Sequence, residues 1–291
     1  MTEVFKRYRE VQKHLGSIGH GVESKAALIE TLSAAAEYVS NTKKVELKSK
    51  VPGKSYFGFA SGDSISRPVN HELYLEDYSL VERVIRALHD RKLAMLDVSQ
   101  INRAVYSAAI TFCAGIDITK KGDQKTPGTL FEYLCATLLS SLLMCSPKAS
   151  VQVLNMGFET KLPTDLIFDL GDDRPKYHVP VKTSTRERVI QVWAHQRVLD
   201  GVYGAGRFRG MPVILTETKL DSKNLEVTEI CLPKQWLLYQ MHIAQLWRIA
   251  YLDMPDAYAR LCGGFPQVPV CTLGDVILSG DLPITPVDPS S

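Results

Sequence analysis

Pro163-Thr164-Asp165-Leu166-Ile167-Phe168-Asp169, a short polar loop, and then Tyr177-His178-Val179-Pro180-Val181-Lys182 form the stretch that decides the fold. Leu166 to Phe168 is an apolar run of strand length, yet it opens on a carboxylate. On a strand, side chains alternate between faces, so Asp165 and Asp169 are expected on one face and Leu166 and Phe168 on the other. Beyond the loop Gly171-Asp172-Asp173-Arg174-Pro175-Lys176, the same alternation puts Val179 and Val181 on one face. His178, Pro180 and Lys182 then share the opposite face. A hairpin of these two strands sets Asp165 beside Lys182.

A carboxylate and an ammonium at the end of a sheet are a working pair for phosphodiester hydrolysis. The carboxylate holds Mg²⁺, which lowers the pKa of a bound water and neutralises phosphate charge. The lysine orients the water and stabilises the pentavalent transition state. The same two residues read equally well as a plain salt bridge across a hairpin. Lys182 continues into Thr183-Ser184-Thr185-Arg186-Glu187-Arg188-Val189. Ser184 or Thr185 is a natural N-cap, which predicts a helix from about Thr185 to Leu199 with Arg186, Glu187 and Arg188 in its first turn. Arginines there oppose the helix dipole, and a locally unfavourable charge choice hints at function. Arginine donates two hydrogen bonds to guanine and glutamate accepts one from cytosine, so such a turn suits G·C pairs read from the major groove. A solvated charged turn is the competing reading.

Taken together, these residues resemble the PD-(D/E)XK nucleases. More narrowly, they resemble type II restriction endonucleases that read CCGG-type cores, including those with one base between the half-sites. The resemblance covers roughly residues 128–200 and rests chiefly on Lys182 followed by Thr-Ser-Thr-Arg-Glu-Arg. It implies an α/β restriction-endonuclease-like core, with a central mixed β-sheet flanked by helices. It implies Asp165 as a metal ligand, Lys182 as the catalytic lysine, and Arg186, Glu187 and Arg188 as contacts to C·G pairs. Glu132, on the helix before the first core strand, stands where a glutamate often completes such a site, with Asp169 the weaker alternative and Glu187 also open as a ligand in place of its base-reading role. The common acid two residues before the lysine is replaced by Pro180. The following helix, where the CCGG-reading group places that acid, offers Gln191, His195 and Gln196 as accessory candidates. Mg²⁺, double-stranded DNA, and a homodimer matched to a palindromic site follow from the resemblance. So do 5′-phosphate and 3′-hydroxyl ends. Two other readings stay open. One is a DNA-binding protein on the same fold with lost or weakened catalysis, motivated by the missing acid. The other is a repair or recombination nuclease that reads DNA structure.

Outward from this stretch, residues 1–116 are expected to be a mainly helical N-terminal region serving DNA contacts, dimerisation or both. Helices are predicted over Glu3–Leu15, after Ser24, and from about Tyr78 to His89 and Val98 to Ala114. Asn41–Pro68, rich in Gly, Ser and Pro, reads as strands or a long loop. Lys43, Lys44, Lys48, Lys50 and Lys54 there are either a solvated run or a phosphate-contacting arm. The polar segment 117–128 is the expected boundary, and the nuclease core is expected over 117–280. The core's predicted elements include an apolar helix over Thr129–Met144 and strands at Val151–Leu154, Leu166–Leu170, Tyr177–Val181, Pro212–Thr216 and Leu225–Cys231. A helical stretch from Trp236 to about Leu261, with Pro255 as a candidate break, completes them. Arg207 and Arg209, in the glycine-rich segment Gly204–Gly210, are candidates for phosphate contacts or a plain turn. Residues 281–291 read as a flexible tail.

Composition sets the outer limits. The chain has 291 residues, 45% hydrophobic and 23% charged, which is globular and excludes a disordered chain. Its 34 basic and 32 acidic residues leave a net charge of +2, so any basic surface must come from placement rather than excess. No apolar run is long enough for a membrane span, and the start lacks a signal-peptide core. The six cysteines show no metal-binding spacing and read as reduced and buried, which suggests a cytoplasmic protein. Without GxSxG, HExxH or GxGxxG, the sequence does not support a serine hydrolase, a zincin or a nucleotide cofactor.

Overall fold

The computed structural model describes residues 25–155, 159–171, 174–264 and 268–287; the helix expected over Glu3–Leu15 lies outside them. The core is organised around two long helices. Preceding them are α1 (Lys25–Ser40) and α2 (Tyr78–His89), the latter started by the Asp77 side chain accepting from Ser79 N. Helix α3 (Val98–Thr119) opens on a capping box between Asp97 and Gln100 and is buried on nearly every side. Helix α4 (Lys125–Leu143) packs against it and buries Leu130, Phe131, Leu134 and Leu138 in the same core. An all-round apolar helix can exist only with partners all round, and α1, α2 and α4 supply them. Between α3 and α4 the polar linker is short, because α3 runs on to Thr119.

Three sheets surround these helices. One has the order β11-β12-β1-β2-β3, with β4 also on β2. It comprises β1 (Lys43–Ser49), β2 (Tyr56–Ser61), β3 (Ser64–Ile65), β4 (Val69–Asn70), β11 (Thr218–Asp221) and β12 (Glu226–Glu229). Its β1 pairs with β12 in parallel, so the segment expected as strands or loop shares a sheet with residues from the far side of the chain. The second sheet, β5-β6-β7-β9, uses β5 (Lys148–Asn155), β6 (Glu159–Phe168), β7 (Lys176–Val179) and β9 (Phe208–Gly210). The third, β14-β13-β10-β8, is parallel throughout: β8 (Val181–Lys182), β10 (Val213–Ile214), β13 (Ile249–Tyr251) and β14 (Val270–Thr272). This is the α/β architecture with mixed sheets and flanking helices expected from the sequence.

Prolines mark where the chain passes between the second and third sheets. Pro180 separates β7 from β8, and Pro212 lies between β9 and β10. Proline has no N–H to give a ladder, but its carbonyl still accepts. Pro180 O receives Val213 N at 2.8 Å and Pro212 O receives Ala250 N at 2.9 Å, so each proline ends one pairing and seeds the next.

The long helix expected from Trp236 to about Leu261 is not formed. Helix α6 (Pro233–His242), numbered after α5 (Ile190–Tyr203), stops early, and Ile249–Tyr251 is the buried strand β13. A parallel strand covered on both faces is apolar without alternation, so its pattern cannot be told from a helix by periodicity. A short helix α7 (Asp256–Ala259) follows Pro255, and α8 (Leu273–Leu278) follows β14. The expected tail is in part packed: Asp281 pairs with Arg248 at 2.8 Å, Leu282 is buried, and Val287 N donates to Arg91 O at 3.0 Å. Among the described residues no helix is long and apolar enough to cross a membrane, and all six cysteines are free.

Lys54 ties the β1–β2 connection to the far end of the chain. Its Nζ donates to Glu229 at 2.9 Å, Asp253 at 2.8 Å and Met254 O at 2.9 Å, while Asn70 Nδ2 also donates to Asp253. The Asp253 side chain is 2% exposed, so loss of the lysine leaves a buried carboxylate without its cation. Lys54→Ala is expected to lower the unfolding free energy by about 3–5 kcal/mol. Urea denaturation checks this; a loss below about 1 kcal/mol would show the cluster to behave as a solvated surface pair.

Candidate active site

Antiparallel pairing of β6 with β7 sets Leu166 opposite Val179, which brings Asp165 level with Pro180. The next available amide is that of Val181. Asp165 Oδ2 accepts from Val181 N at 2.8 Å and from Lys182 Nζ at 2.7 Å. The carboxylate thus fills the gap that proline leaves in the ladder and holds the ammonium in the same act. Both side chains are partly exposed and line a cavity of about 140 Å³, together with His178, Pro180, Gln191 and His195. The expected shared face of His178, Pro180 and Lys182 is therefore present, while Val179 and Val181 are in the core.

Glu132 lies on α4 within electrostatic reach of both residues. Burial raises its carboxyl to a pKa of about 7, the negative charge of Asp165 adds to that, and Lys182 opposes it. Two carboxylates that repel in a partly desolvated place are the local charge arrangement a divalent cation relieves. The donor chemistry is hard oxygen, which suits Mg²⁺. Among the described residues no group of three His, Cys, Asp or Glu is preassembled as a metal cage. Mg²⁺ is ordinarily held by one or two carboxylates and completed by water and substrate phosphate, so Glu132 and Asp165 fit it.

The opposite wall comes from α5. Gln191 and His195 are one helical turn apart and both reach the cavity. Burial, then the positive charge of Lys182, lowers the His195 pKa. His178 is fully buried, and burial lowers its pKa to about 4. Its Nδ1 lies 3.4 Å from Gln196 Oε1, and its Nε2 has no partner among the described residues. Gln196, the third accessory candidate, sits beneath the cavity. It is buried and its Nε2 donates to Phe208 O at 2.8 Å and Asp200 at 2.9 Å. A Cβ on Gly210 would stand 2.5 Å from Gln196 Oε1 and 2.7 Å from Leu246 Cδ2, so any larger residue there would push the Gln196 and Leu246 side chains aside.

Asp169 does not join the cavity. Strand β6 ends at Phe168, and Asp169 turns into the hairpin, where Lys176 Nζ binds it at 2.6 Å and Lys148 lies at 3.8 Å. The expected alignment with Asp165 fails because the pleat stops one residue too soon.

The segment after Lys182 also differs from expectation. Arg186–Val189 is a 3₁₀ turn, α5 begins only at Ile190, and neither Ser184 nor Thr185 caps it with a side chain. Those hydroxyls go instead to Glu217, a fully buried carboxylate just after β10. Sequence reasoning passed over Glu217; the signal was a lone acid inside the run Val213 to Thr218. Arg186 is half-buried with a left-handed φ of 43°, and Arg188 is exposed.

The remaining basic candidates are dispersed. Lys43, Lys44, Lys48 and Lys50 lie exposed along or just after β1, with Lys44 paired to Glu76 at 2.6 Å and Lys50 to Glu226 at 3.4 Å. Lys54 is withdrawn into its carboxylate cluster and does not extend the exposed row. Arg209 stacks over Trp247 at 5.2 Å, and Arg207, two residues earlier, is half-buried.

No protein-family model matches the chain, and no curated protein matches it in sequence. Its structure is similar to the crystal structure of Type IIP restriction endonuclease Kpn2I, with a TM-score of 0.79 over 96% of each chain and 23% identity. The chain has the restriction-endonuclease fold. A restriction endonuclease PspGI–substrate DNA complex overlaps more weakly, with a TM-score of 0.41, 13% identity, and coverage of 69% of this chain and 89% of that one.

His178 gives this restriction-endonuclease fold a pH signature. In the unfolded chain the imidazole takes its proton near its ordinary 6.5, while the folded site resists it down to about 4. The unfolded state therefore binds more protons in that window, and stability present above 6.5 is lost as pH falls toward 4. His178→Asn is expected to flatten the fall in urea midpoint across this window; parallel curves for the two proteins would contradict the assignment.

Proposed function

We propose that this protein is a Mg²⁺-dependent, sequence-specific endonuclease for double-stranded DNA, of the type II restriction kind. It would leave 5′-phosphate and 3′-hydroxyl ends at a palindromic site containing G·C pairs. The observation that carries this reading is the joining of Lys182 to Asp165 at 2.7 Å, with a half-buried Glu132 whose carboxyl feels both charges. The restriction-endonuclease fold supports it.

Mg²⁺ bound by Asp165 and Glu132 would lower the pKa of a water and offset phosphate charge. Lys182, held on one side by Asp165, turns its remaining N–H donors to the cavity, where they orient the attacking water and stabilise charge on the phosphoryl oxygens. Gln191 and His195 face the same space and bring hydrogen-bonding groups, with no carboxylate between them. Arg186, Glu187 and Arg188, joined to Lys182 by three residues, are assigned to the C·G pairs, which couples reading and cutting through a short piece of backbone. Lys43, Lys44, Lys48, Lys50, Arg207 and Arg209 are assigned to phosphates, and a homodimer would match the two-fold symmetry of the site. The N-terminal region is assigned to flanking contacts and dimerisation.

A second reading has its own observation. Pro180 stands in place of the usual acid, and the α5 wall offers only neutral Gln191 and His195. That pattern suits a DNA-binding protein on the same fold that does not cut. Plasmid DNA incubated with the protein and Mg²⁺ separates the two. Discrete fragments are expected, with Lys182→Ala slower by at least about 10²-fold; binding without cutting supports the second reading. Cutting confined to flaps or junctions would instead indicate a structure-reading nuclease. Arg186→Ala should weaken binding to the cut site by about 1–3 kcal/mol in a gel-shift titration, and an unchanged affinity would remove its base-reading role.

A further inference from the structure

The backbone between Lys182 and Arg186 is held by one side chain from the link between β10 and β11. Leu215 N donates to Lys182 O at 3.0 Å and Thr216 N to Thr183 O at 3.3 Å, so a parallel ladder runs out along this segment. Where the segment leaves the ladder, the Glu217 carboxylate takes over. It accepts from Ser184 Oγ at 3.1 Å, from Thr185 N at 3.1 Å to each oxygen, from Thr185 Oγ1, and from Arg186 N at 3.3 Å. Tyr251 Oη donates from the other side at 2.9 Å, and Tyr251 belongs to a stack with Trp236 and Tyr258. Glu217 is fully buried; burial pushes its carboxyl above the ordinary range, and the hydrogen bonds from Thr185, Tyr251 and Arg186 work against that rise.

The consequences appear in the residues it holds. Thr185 turns its amide and hydroxyl to Glu217 and makes no side-chain cap, and the next residues wind as a 3₁₀ turn. Arg186 adopts a φ of 43°, a conformation that a residue with a long side chain keeps only when its surroundings impose it. Its guanidinium is correspondingly under-used: Nη2 reaches Thr218 O only at 3.5 Å, and Nε is buried with no acceptor among the described residues. A buried donor left without an acceptor is costly, which marks this segment as held under constraint.

We propose that Glu217 is a positioning residue, clamping residues 184–186 so that Arg186 is presented in fixed register with Lys182. The inference rests on the nuclease reading above and adds to it the group that couples recognition to cleavage. Neutral, near-isosteric Glu217→Gln turns an N–H donor toward the amides of Thr185 or Arg186 and must break part of the clamp.

Two measurements test it. The first is the ratio of cleavage rates at the mapped site and at a site altered by one G·C pair. It is expected to fall about tenfold in Glu217→Gln. Tyr251→Phe, which removes a donor outside the segment, should keep the ratio while lowering the melting temperature. The second is hydrogen exchange of the amides in 183–188, expected to quicken in Glu217→Gln with other segments unchanged. If Glu217→Gln fails to fold, Glu217→Asp, which draws the carboxylate back from the segment, is read in the same two ways. A folded variant that keeps both the ratio and the protection overturns the inference. A wild-type protein that cuts no DNA overturns the nuclease reading instead, and the exchange measurement then decides the clamp by itself.

Discussion

One carboxylate oxygen, Asp165 Oδ2, receives two hydrogen bonds at the point where Pro180 interrupts a strand, and the rest of the site depends on it. Proline cannot donate, so the meander of β5, β6 and β7 has to end there and the chain is free to enter the parallel sheet. Asp165 satisfies the first amide after the break and, with the same atom, fixes the amine of Lys182. Fold and chemistry share a cause at this position. The gap that diverts the backbone also admits a charged side chain to the end of a sheet, at the mouth of a cavity.

Electrostatics around that point are built from opposed tendencies. Asp165 and Glu132 repel each other, burial works against Glu132 ionising, and Lys182 compensates in part. His178 on β7 and His195 on the α5 wall both have lowered pKa values, because burial and the nearby ammonium disfavour a second positive charge. The charged pair Asp165 and Lys182 therefore stands on one side of the cavity, with Glu132 outside its lining, and the hydrogen-bonding groups of Gln191 and His195 stand on the other. A net charge of +2 over the whole chain conceals this arrangement entirely.

What could be read from the sequence follows physical range. The Asp165–Lys182 pair was legible because strand alternation is a two-residue rule and the hairpin is local. Glu132 lies on a helix far off in sequence and came into view only through family resemblance. Asp169 was misplaced because alternation does not say where a strand stops. Glu217 went unnoticed, since its donors come from a segment some thirty residues away and burial cannot be seen in a string. Lys54 looked like part of a basic arm and is instead one end of an ion cluster that spans most of the chain. The strand at Ile249–Tyr251 was taken for helix because a doubly covered strand carries no period.

The most direct measurement of the central claim is to sequence the ends of DNA fragments made by the wild-type protein with Mg²⁺. The account predicts ends carrying 5′-phosphate at one fixed position within a G·C-containing palindrome. It also predicts that they vanish when either Asp165 or Lys182 is replaced. Fragment ends scattered without regard to sequence, or ends that persist in Asp165→Asn and Lys182→Ala, would contradict it.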